Sequence, residues 1–300
     1  MKKPDYLQNG DKVAIVCTAR KISKAGIEPA IKLLTSWGLE VEVGETIGRE
    51  NHQFAGTDEE RAQDFQQFLD DENIGAIFCA RGGYGTIRVM DLLDFSEFEK
   101  RPKWIVGYSD ITVLHAFINC NLGIETLHAT MPVNFSSNAQ LALQSLRKAL
   151  FGEKISYNFK THNLNRFGEA SGEIIGGNLS IIYSLSGSKS QVKTEGKILF
   201  LEDLDEYLYH IDRMMVNLKR SGLLKNLKGL VVGAMSEMND NEVPFGKTAE
   251  EIINEQLAEF DFPLCFGFPA GHIHDNRSLI FGRACQIEID EKNCTLRFEK

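Results

Sequence analysis

Short apolar runs alternate with amphipathic stretches through the first half of the chain. The runs have the length of buried strands and lie at residues 12–17, 39–43, 74–80, 104–106 and 124–127. The stretches between them carry apolar residues at helical spacing, as at Ile27, Ile31 and Leu34. Continuous apolar strands that alternate with such helices are typical of a parallel sheet covered on both faces. We therefore predict an α/β fold whose N-terminal domain, residues 1–150, is a doubly wound, mostly parallel sheet of the Rossmann or flavodoxin kind.

The pattern changes after residue 150. Residues 151–170 are polar and lack strong periodicity, so we expect them to cross between two domains. Helical stretches near Leu208 and after Thr248 then separate strand-like apolar runs at residues 197–201, 230–234 and 285–289. We predict that residues 171–300 form a second, β-rich domain.

The chain of 300 residues carries 33 Lys and Arg against 42 Asp and Glu, a formal net charge of −9. Its hydrophobic share of 43% and charged share of 25% are those of a globular protein, which excludes a disordered chain. Because no basic block accompanies the acidic total, we expect neither nucleic acid nor a membrane surface as a partner. Polar residues interrupt the start of the chain where a signal peptide is apolar, and no apolar run approaches the roughly 18 residues that cross a bilayer. We expect a cytoplasmic protein.

The six cysteines show no CxxC spacing and no regular framework, and Cys17 and Cys79 lie inside apolar runs. We predict reduced, buried thiols rather than disulfides or metal ligands. His272 and His274 have the H-x-H spacing of metal ligands, but no further ligand cluster stands near them in the sequence, so we predict no metal and no other cofactor. Two other interpretations of this segment are open. One of the two imidazoles acts as a base, or the histidines lie in a loop and have no function.

A serine stands where a predicted strand gives way to a helix, in the segment WIVGYSDITVL (104–114). On such a turn Ser109 would project from the carboxyl edge of the sheet, where open α/β sheets bind ligands. The backbone N–H groups at the start of the helix could then donate hydrogen bonds to an oxyanion that develops during a reaction. The G-x-S-x-G pattern of a nucleophile elbow is not met, because Ile111 takes the last glycine position. Ser109 is also suited to be a helix N-cap, and the segment taken alone favours the cap.

Three glycines follow the strand at 74–80, in the segment ARGGYG (80–85). They allow the backbone to approach a ligand closely. The segment is not a dinucleotide fingerprint, since G-x-G-x-x-G would require glycine in place of Arg88. A turn with positive φ and a loop whose N–H groups line an oxyanion hole are both open interpretations.

A strand that ends in carboxylates follows at KILFLEDLDE (197–206). A carboxylate at the end of a strand can be aimed into a cleft, whereas acidic residues in the first turn of a helix complement its dipole. We expect that most of the four acidic residues only complement the helix dipole; they are Glu202, Asp203, Asp205 and Glu206. Glu202, the nearest to the strand, is the candidate functional residue.

Taken together, these segments resemble one family, the LD-carboxypeptidases, which are serine peptidases that include the murein tetrapeptide carboxypeptidases and the microcin C immunity peptidases. The matching motifs run in the family's order, and each is weak alone, but five in order are specific. They are ARGGYG (80–85), GYSDIT (107–112), GGNLS (176–180), LFLED (199–203) with IDR (211–213), and PAGH (269–272).

The resemblance implies a catalytic triad of Ser109, Glu202 and His272. The serine would lie in the parallel-sheet domain and the other two residues in the β-rich domain, with the site between them. The resemblance also implies that the backbone N–H groups of Gly83 and Asp110 form the oxyanion hole. This chemistry agrees with the residue types, because a neutral hydroxyl needs an adjacent base and the base needs an acid that holds its tautomer.

Two further residues are candidates for substrate binding. The resemblance implies that Asn178 lies near the substrate, and Arg81 is our candidate for the group that holds the substrate's terminal carboxylate. His274 is not a triad position in the family and has no assigned role. The family also commonly forms homodimers, so a homodimer is expected.

The resemblance implies hydrolysis of the terminal L,D amide bond of murein tetrapeptide, with release of D-Ala in peptidoglycan recycling. The immunity branch usually has a longer chain with an aromatic insertion that stacks on a nucleobase. Here Trp37 and Trp104 are the only tryptophans and both lie in the first domain, which favours the murein branch. Two alternatives stay open, namely an immunity-type peptidase that cleaves peptidyl-nucleotide conjugates and a non-catalytic small-molecule binding protein in which Ser109 is only a cap.

Overall fold

Strands and helices alternate along most of the chain in the computed structural model, which describes residues 1–299. In chain order the strands are β1 (Lys12–Val16), β2 (Glu40–Val43), β3 (Ile74–Cys79), β4 (Trp104–Gly107), β5 (Thr126–His128), β6 (Ser156–Lys160), β7 (Gly168–Asn178), β8 (Ile198–Leu204), β9 (Gly229–Ser236), β10 (Leu264–Cys265), β11 (Leu279–Phe281), β12 (Ala284–Ile289) and β13 (Asn293–Phe298). The α-helices are α1 (Lys24–Ser36), α2 (Asp58–Asp70), α3 (Thr86–Val89), α4 (Ser96–Lys100), α5 (Thr112–Phe117), α6 (Gln140–Leu150), α7 (Leu179–Ser184), α8 (Leu208–Arg220) and α9 (Ala249–Gln256).

The first sheet has six strands in the order β11-β5-β4-β3-β1-β2. The five strands from the first half of the chain are mutually parallel, and β11 is antiparallel to β5. Every residue of β4 is buried, as expected for a strand covered by helices on both faces. The order 2-1-3-4-5 is that of a flavodoxin-like sheet, whose ligands bind where the strand order reverses, between β1 and β3. The predicted doubly wound parallel sheet is confirmed.

The second sheet has seven strands in the order β10-β9-β8-β7-β12-β13-β6. Strands β7, β8, β9 and β10 are parallel, whereas β12, β13 and β6 continue the sheet with antiparallel pairing. The long strand β7 joins the two halves, because its first residues pair with β12 and its last residues pair with β8. The second half of the chain is therefore β-rich and mixed, as predicted.

One segment shows regular structure that its sequence pattern does not indicate. Residues 151–170, expected to cross between two domains, contain β6 and the start of β7. Strand β6 alternates exposed Ser156 and Asn158 with buried Tyr157, so only one of its faces is packed and the short run does not look apolar. Strand β11, from the second half of the chain, also pairs with β5 in the first sheet. The boundaries proposed for the two domains remain a prediction.

Two of the longer helices begin with the same local signal. Thr57 Oγ1 accepts a hydrogen bond from the Glu60 N–H, and the Glu60 carboxylate accepts from the Thr57 N–H at 2.8 Å. The pair Thr248 and Glu251 repeats this arrangement at the start of α9. Each box satisfies two N–H groups that have no partner within the helix, so α2 and α9 start where the sequence places these residues.

The two sheets meet where α5 lies against the end of β7. The Asn178 N–H donates to Thr112 Oγ1 at 3.0 Å. Gly177 has φ +136°, and a Cβ at this position would lie 2.4 Å from Thr112 Oγ1. Only glycine permits this approach, and the contact sets the position of α5 relative to β7.

A buried ion pair also joins the two halves of the chain. The Arg283 guanidinium, just before β12, donates to Glu125, just before β5, with Nε 3.1 Å from Oε2. The exposed fractions of these side chains are 9% and 7%. The Tyr6 hydroxyl accepts another Arg283 N–H at 3.1 Å, so the buried charge is well provided with partners.

No helix in residues 1–299 has the length and apolar character needed to cross a membrane.

The Glu125–Arg283 pair should be a stability determinant. Glu125→Ala leaves the Arg283 charge buried without its carboxylate, and we expect the free energy of unfolding to fall by about 3–5 kcal/mol. Urea unfolding followed by circular dichroism measures the change. The matched control is Glu288→Ala, since Glu288 pairs with Arg297 at an exposed position and such pairs contribute about 0–1 kcal/mol. Equal losses in the two variants would contradict the buried pair's role.

Candidate active site

Four segments from both sheets converge at one cleft. Ser109 follows β4, the glycine loop follows β3, Glu202 lies in β8, and His272 lies in the loop after β10. All four strands belong to the parallel parts of their sheets, so each delivers its following segment at a carboxyl edge. The cleft between these edges has a volume of about 500 Å³.

Ser109, His272 and Glu202 form a continuous chain of hydrogen bonds. His272 Nε2 lies 3.0 Å from Ser109 Oγ, and His272 Nδ1 lies 2.7 Å from Glu202 Oε2. The three residues are far apart in sequence and come from three different segments. The structure thus brings together the three predicted triad residues with the connectivity that activates a hydroxyl for attack on a carbonyl.

Ser109 has a strained backbone. Its φ is +63°, a left-handed conformation that is uncommon for residues other than glycine. It opens the 3₁₀ turn Ser109–Ile111, and neither that turn nor α5 has a side-chain cap within residues 1–299. The Ser109 hydroxyl therefore points to His272 instead of capping a helix. Strain of this kind is found where the backbone must aim a functional side chain.

Glu202 is completely buried behind His272. Gly271 makes this possible, because it has φ +110° and a Cβ there would lie 2.7 Å from Glu202 Oε2. The Gly271 N–H donates to Asn276 Oδ1 at 2.8 Å, which holds the loop against the carboxylate. Glu202 Oε1 has no hydrogen-bond donor among residues 1–299, so Glu202 directs its hydrogen bonding to the imidazole.

The environment of His272 favours its protonated form. Burial by itself lowers the pKa of the imidazole, but the charge of Glu202 and its hydrogen bond to Nδ1 outweigh burial and raise the pKa above 6.5. Tyr108, the residue before Ser109, packs its ring against the imidazole with centroids 4.8 Å apart. The carboxylate holds the tautomer, and the tyrosine ring limits rotation.

The glycine loop lies directly against Ser109. A Cβ at Gly82 would be 3.3 Å from Ser109 Cβ and 3.4 Å from its Oγ, so a larger residue at this position would crowd the hydroxyl. Gly83 is exposed in the cleft with φ +106°. Its N–H finds no acceptor in residues 1–299, and this loop carries the first of the two predicted oxyanion donors.

Asp110 carries the second predicted donor at the start of the 3₁₀ turn, where backbone N–H groups have no partner within the helix. Its carboxylate points away from Ser109 and accepts the Thr86 N–H at 2.8 Å. Burial raises the pKa of this carboxyl. Asp110 thus ties the turn that begins at Ser109 to α3, which follows the glycine loop.

Asn178 lines the cleft, but its side chain already has partners in the protein. Its Oδ1 caps α7 by accepting the Ile181 N–H at 3.2 Å, and its Nδ2 donates to Asp203 Oδ1 at 2.8 Å. Burial and the neighbouring Glu202 raise the pKa of Asp203 to about 7. Asn178 therefore has a structural role at the rim of the cleft, alongside any contact with a substrate.

The remaining predicted residues occupy different places. Arg81 lines the cleft and donates one N–H to the Lys21 carbonyl at 3.3 Å. His274 lies outside the hydrogen-bond chain, with Nδ1 2.9 Å from the Ser137 carbonyl. Arg20, which also lines the cleft, was missed by the sequence analysis, although it stands just past the end of the first strand.

No cluster of three or more His, Cys, Asp or Glu side chains placed to hold a metal ion occurs among residues 1–299. All six cysteines are free, and five of them are buried. The exception is Cys120, which is half-buried.

Comparison with models of known protein families shows to which family the chain belongs. Residues 13–129 match the model of the LD-carboxypeptidase N-terminal domain, and residues 171–287 match the LD-carboxypeptidase C-terminal domain. The chain belongs to the LD-carboxypeptidase family. The predicted resemblance is thereby confirmed, and the cleft described above lies between the parts of the chain that carry the two family domains.

Similar proteins cover nearly the whole chain. The probable murein peptide carboxypeptidase of Bacillus subtilis is 31% identical over 98% of this chain and 94% of its own length. The microcin C7 self-immunity protein of Escherichia coli is 26% identical over 89% of this chain and 86% of its own. The crystal structure of muramoyltetrapeptide carboxypeptidase from Oxalobacter formigenes matches this chain with a TM-score of 0.87 and 26% sequence identity. The match covers 96% of this chain and 99% of that one. The chain is therefore similar to members of both branches.

The three best-buried histidines should titrate very differently. We expect the His272 imidazole to titrate above pH 6.5 because of Glu202, whereas burial lowers the pKa of His115 to about 4 and holds the pKa of His128 well below its usual value. Glu202→Gln removes the charge and leaves burial, so the His272 pKa should fall below 6.5. Proton–carbon NMR of labelled histidine measures these values over a pH series.

The control for this titration is Glu288→Gln, a loss of charge at an exposed position on β12. It should leave the His272 pKa unchanged. A His272 pKa that stays above 6.5 in Glu202→Gln would show that the carboxylate does not govern the imidazole.

Proposed function

We propose that this chain is a serine L,D-carboxypeptidase that hydrolyses the terminal L,D amide bond of murein tetrapeptide and releases D-Ala in peptidoglycan recycling. One observation carries the proposal. The Ser109 hydroxyl lies 3.0 Å from His272, which lies 2.7 Å from the buried Glu202 carboxylate, in the cleft of an LD-carboxypeptidase fold. A non-catalytic binding protein would have no need of this arrangement.

In the proposed reaction Ser109 Oγ attacks the carbonyl carbon that precedes the terminal D-Ala. His272 Nε2 accepts the hydroxyl proton as the new bond forms and the carbonyl electron pair moves onto oxygen. His272 then donates this proton to the D-Ala nitrogen as the carbon–nitrogen bond breaks. Water hydrolyses the acyl-enzyme by the same steps and restores the serine hydroxyl. Glu202 stabilises the imidazolium that exists in between.

The oxyanion is assigned to the backbone N–H groups of Gly83 and Asp110. Both groups border Ser109, one in the glycine loop and one in the 3₁₀ turn. Donors of this kind need no reorganisation when charge develops, which makes them effective in the transition state. The strained φ of Ser109 and the positive φ of Gly83 serve this alignment.

We assign Arg81 and Asn178 to substrate binding, because both line the cleft beside Ser109. Arg81 supplies positive charge on the side of the glycine loop, where a terminal carboxylate would lie. Asn178 bounds the opposite side, held there by Asp203 and the start of α7.

We place the protein in the cytoplasm, where released wall peptides are recycled, and expect a homodimer. The mechanism uses no metal and no other cofactor, and the acidic chain is expected to engage neither nucleic acid nor membranes. These assignments follow from composition and from the family.

A second candidate function is cleavage of peptidyl-nucleotide conjugates, which the similarity to the microcin C7 self-immunity protein favours. Neither tryptophan of the chain is placed to stack on a nucleobase at the cleft. Trp104 is completely buried against Tyr6, and Trp37 ends α1 away from the cleft. When a tetrapeptide and a peptidyl-nucleotide conjugate compete, we expect mass spectrometry to show loss of D-Ala first; faster cleavage of the conjugate would favour the second function.

The triad residues should lose activity together. Ser109→Ala and His272→Ala should each lower kcat/KM for murein tetrapeptide by a factor on the order of 10⁶, because neither residue works without the other. Glu202→Gln should be milder, since it keeps the shape and loses the charge that stabilises the imidazolium. Mass spectrometry of released D-Ala gives the rates, and thermal melts check folding.

The Ser109→Ala/His272→Ala double variant supplies the control. Its activity should equal that of either single variant. A loss equal to the product of the two single losses would mean that the residues act independently, contrary to a triad. If Ser109 were only a cap, Ser109→Ala would cost about 0.5–2 kcal/mol of stability and leave turnover intact.

The oxyanion assignment predicts a large effect at Gly83. In Gly83→Val the new side chain meets Arg20 and disfavours φ +106°, so the N–H should move away from the reacting oxygen. Loss of one such donor typically lowers kcat by about 10²–10³. Gly187→Val is the matched control, because Gly187 also has positive φ but nothing within 4 Å. Full activity in Gly83→Val would remove Gly83 from the site.

A further inference from the structure

Three neighbouring strands deliver consecutive parts of the cleft. Ser109 follows β4, Gly82 and Gly83 follow β3, and Arg20 follows β1. These strands are adjacent and parallel in the order β4-β3-β1. Arg20 therefore lies on the far side of the glycine loop from the nucleophile, at the point between β1 and β3 where the strand order reverses.

Arg20 extends its side chain over Gly83. A Cβ at Gly83 would lie 2.5 Å from Arg20 Cδ and 2.8 Å from Arg20 Nε, so the glycine leaves the space that the arginine occupies. The backbone of Arg20 is held by a bridge to Phe54. The positive charge of Arg20 also acts on the Asp110 carboxyl, whose pKa it lowers against the larger effect of burial.

The guanidinium of Arg20 is not neutralised by the protein. Eight of the thirteen arginines have a carboxylate within ion-pair distance in residues 1–299. The five without one are Arg20, Arg81, Arg166, Arg213 and Arg220, and of these Arg20 and Arg81 line the cleft. Arg81 donates to the Lys21 carbonyl, whereas no side-chain hydrogen bond to Arg20 is found in the described chain. The cleft thus has an unpaired arginine beside the loop that faces the nucleophile.

We infer that Arg20 binds the terminal carboxylate of the substrate and restricts the enzyme to peptides that end in a free carboxylate. The inference rests on the proposed function and names the group that determines its exopeptidase specificity. With the scissile carbonyl at Ser109, the leaving residue extends about 3.5 Å along the cleft. It passes the glycine loop, where Arg20 presents its planar N–H groups to a carboxylate. Arg81 adds positive charge from the same side of the cleft, but one of its N–H groups already donates to the Lys21 carbonyl.

Two peptides separate binding of the carboxylate from catalysis. They are murein tetrapeptide and the same peptide with its terminal carboxylate converted to a carboxamide. The natural enzyme should prefer the carboxylate by about 10- to 100-fold in kcat/KM, the range of a charge-assisted bidentate pair. In Arg20→Gln this preference should disappear, and Arg20→Lys should restore part of it.

Neighbouring charges provide the comparison variants. Lys21→Gln removes the same charge one residue away, from a side chain that pairs with Glu50, and it should keep the full preference. Arg81→Gln should lose less of the preference than Arg20→Gln. The reverse order, or an unchanged preference in Arg20→Gln, would overturn the inference while the proposed function stands.

A binding measurement separates failure of the inference from failure of the proposed function. Calorimetry in the Ser109→Ala background compares the two peptides without turnover. The Ser109→Ala protein should bind the carboxylate peptide about 10- to 100-fold more tightly than the carboxamide, and Arg20→Gln should remove the difference. If the natural enzyme released no D-Ala yet showed this difference, the proposed function would fail and the arginine assignment would stand. Equal binding of the two peptides would overturn the assignment.

Discussion

The structure of the cleft depends on one buried charge. Glu202 is completely buried at the end of β8, and its partner is the His272 imidazole at 2.7 Å. A buried carboxylate without compensation is costly, so the surrounding segments must present the imidazole in a fixed place. Gly271 supplies the space and Asn276 anchors the loop. The pKa of His272, its tautomer and its reach to Ser109 all follow from this contact.

The two sheets must therefore keep a fixed relation, because Ser109 belongs to one and Glu202 to the other. The close contact of Gly177 with Thr112 and the hydrogen bond from Asn178 to Thr112 hold α5 on β7 near Ser109. Small backbone shifts at this junction would separate the hydroxyl from the imidazole. Interfaces built on close backbone approach resist such shifts because interiors are tightly packed.

The backbone conformation of three residues shapes the cleft. Ser109 is a non-glycine residue with positive φ, and Gly83 and Gly271 also have positive φ. Each of these positions lets a segment approach another that a normal side chain or conformation would keep away. The stability of the parallel sheets compensates for the strain, and the site is arranged before any substrate arrives.

The local pattern was enough to predict the parallel first sheet, the β-rich second half and the family, since buried strands are apolar at every position and the motifs occur in order. It was not enough for β6, which packs one face only, or for β11, whose residues pair with residues of β5 that lie 151 to 155 positions earlier in the chain. The same holds for the cleft. Ser109 read alone favoured a cap, and Arg20 had no local signal, because both depend on neighbours that are distant in the chain. The local periodicity of a sequence shows which face of a helix or strand is buried. Which other element packs against that face depends on contacts between residues that are distant in the chain, so the tertiary structure decides it.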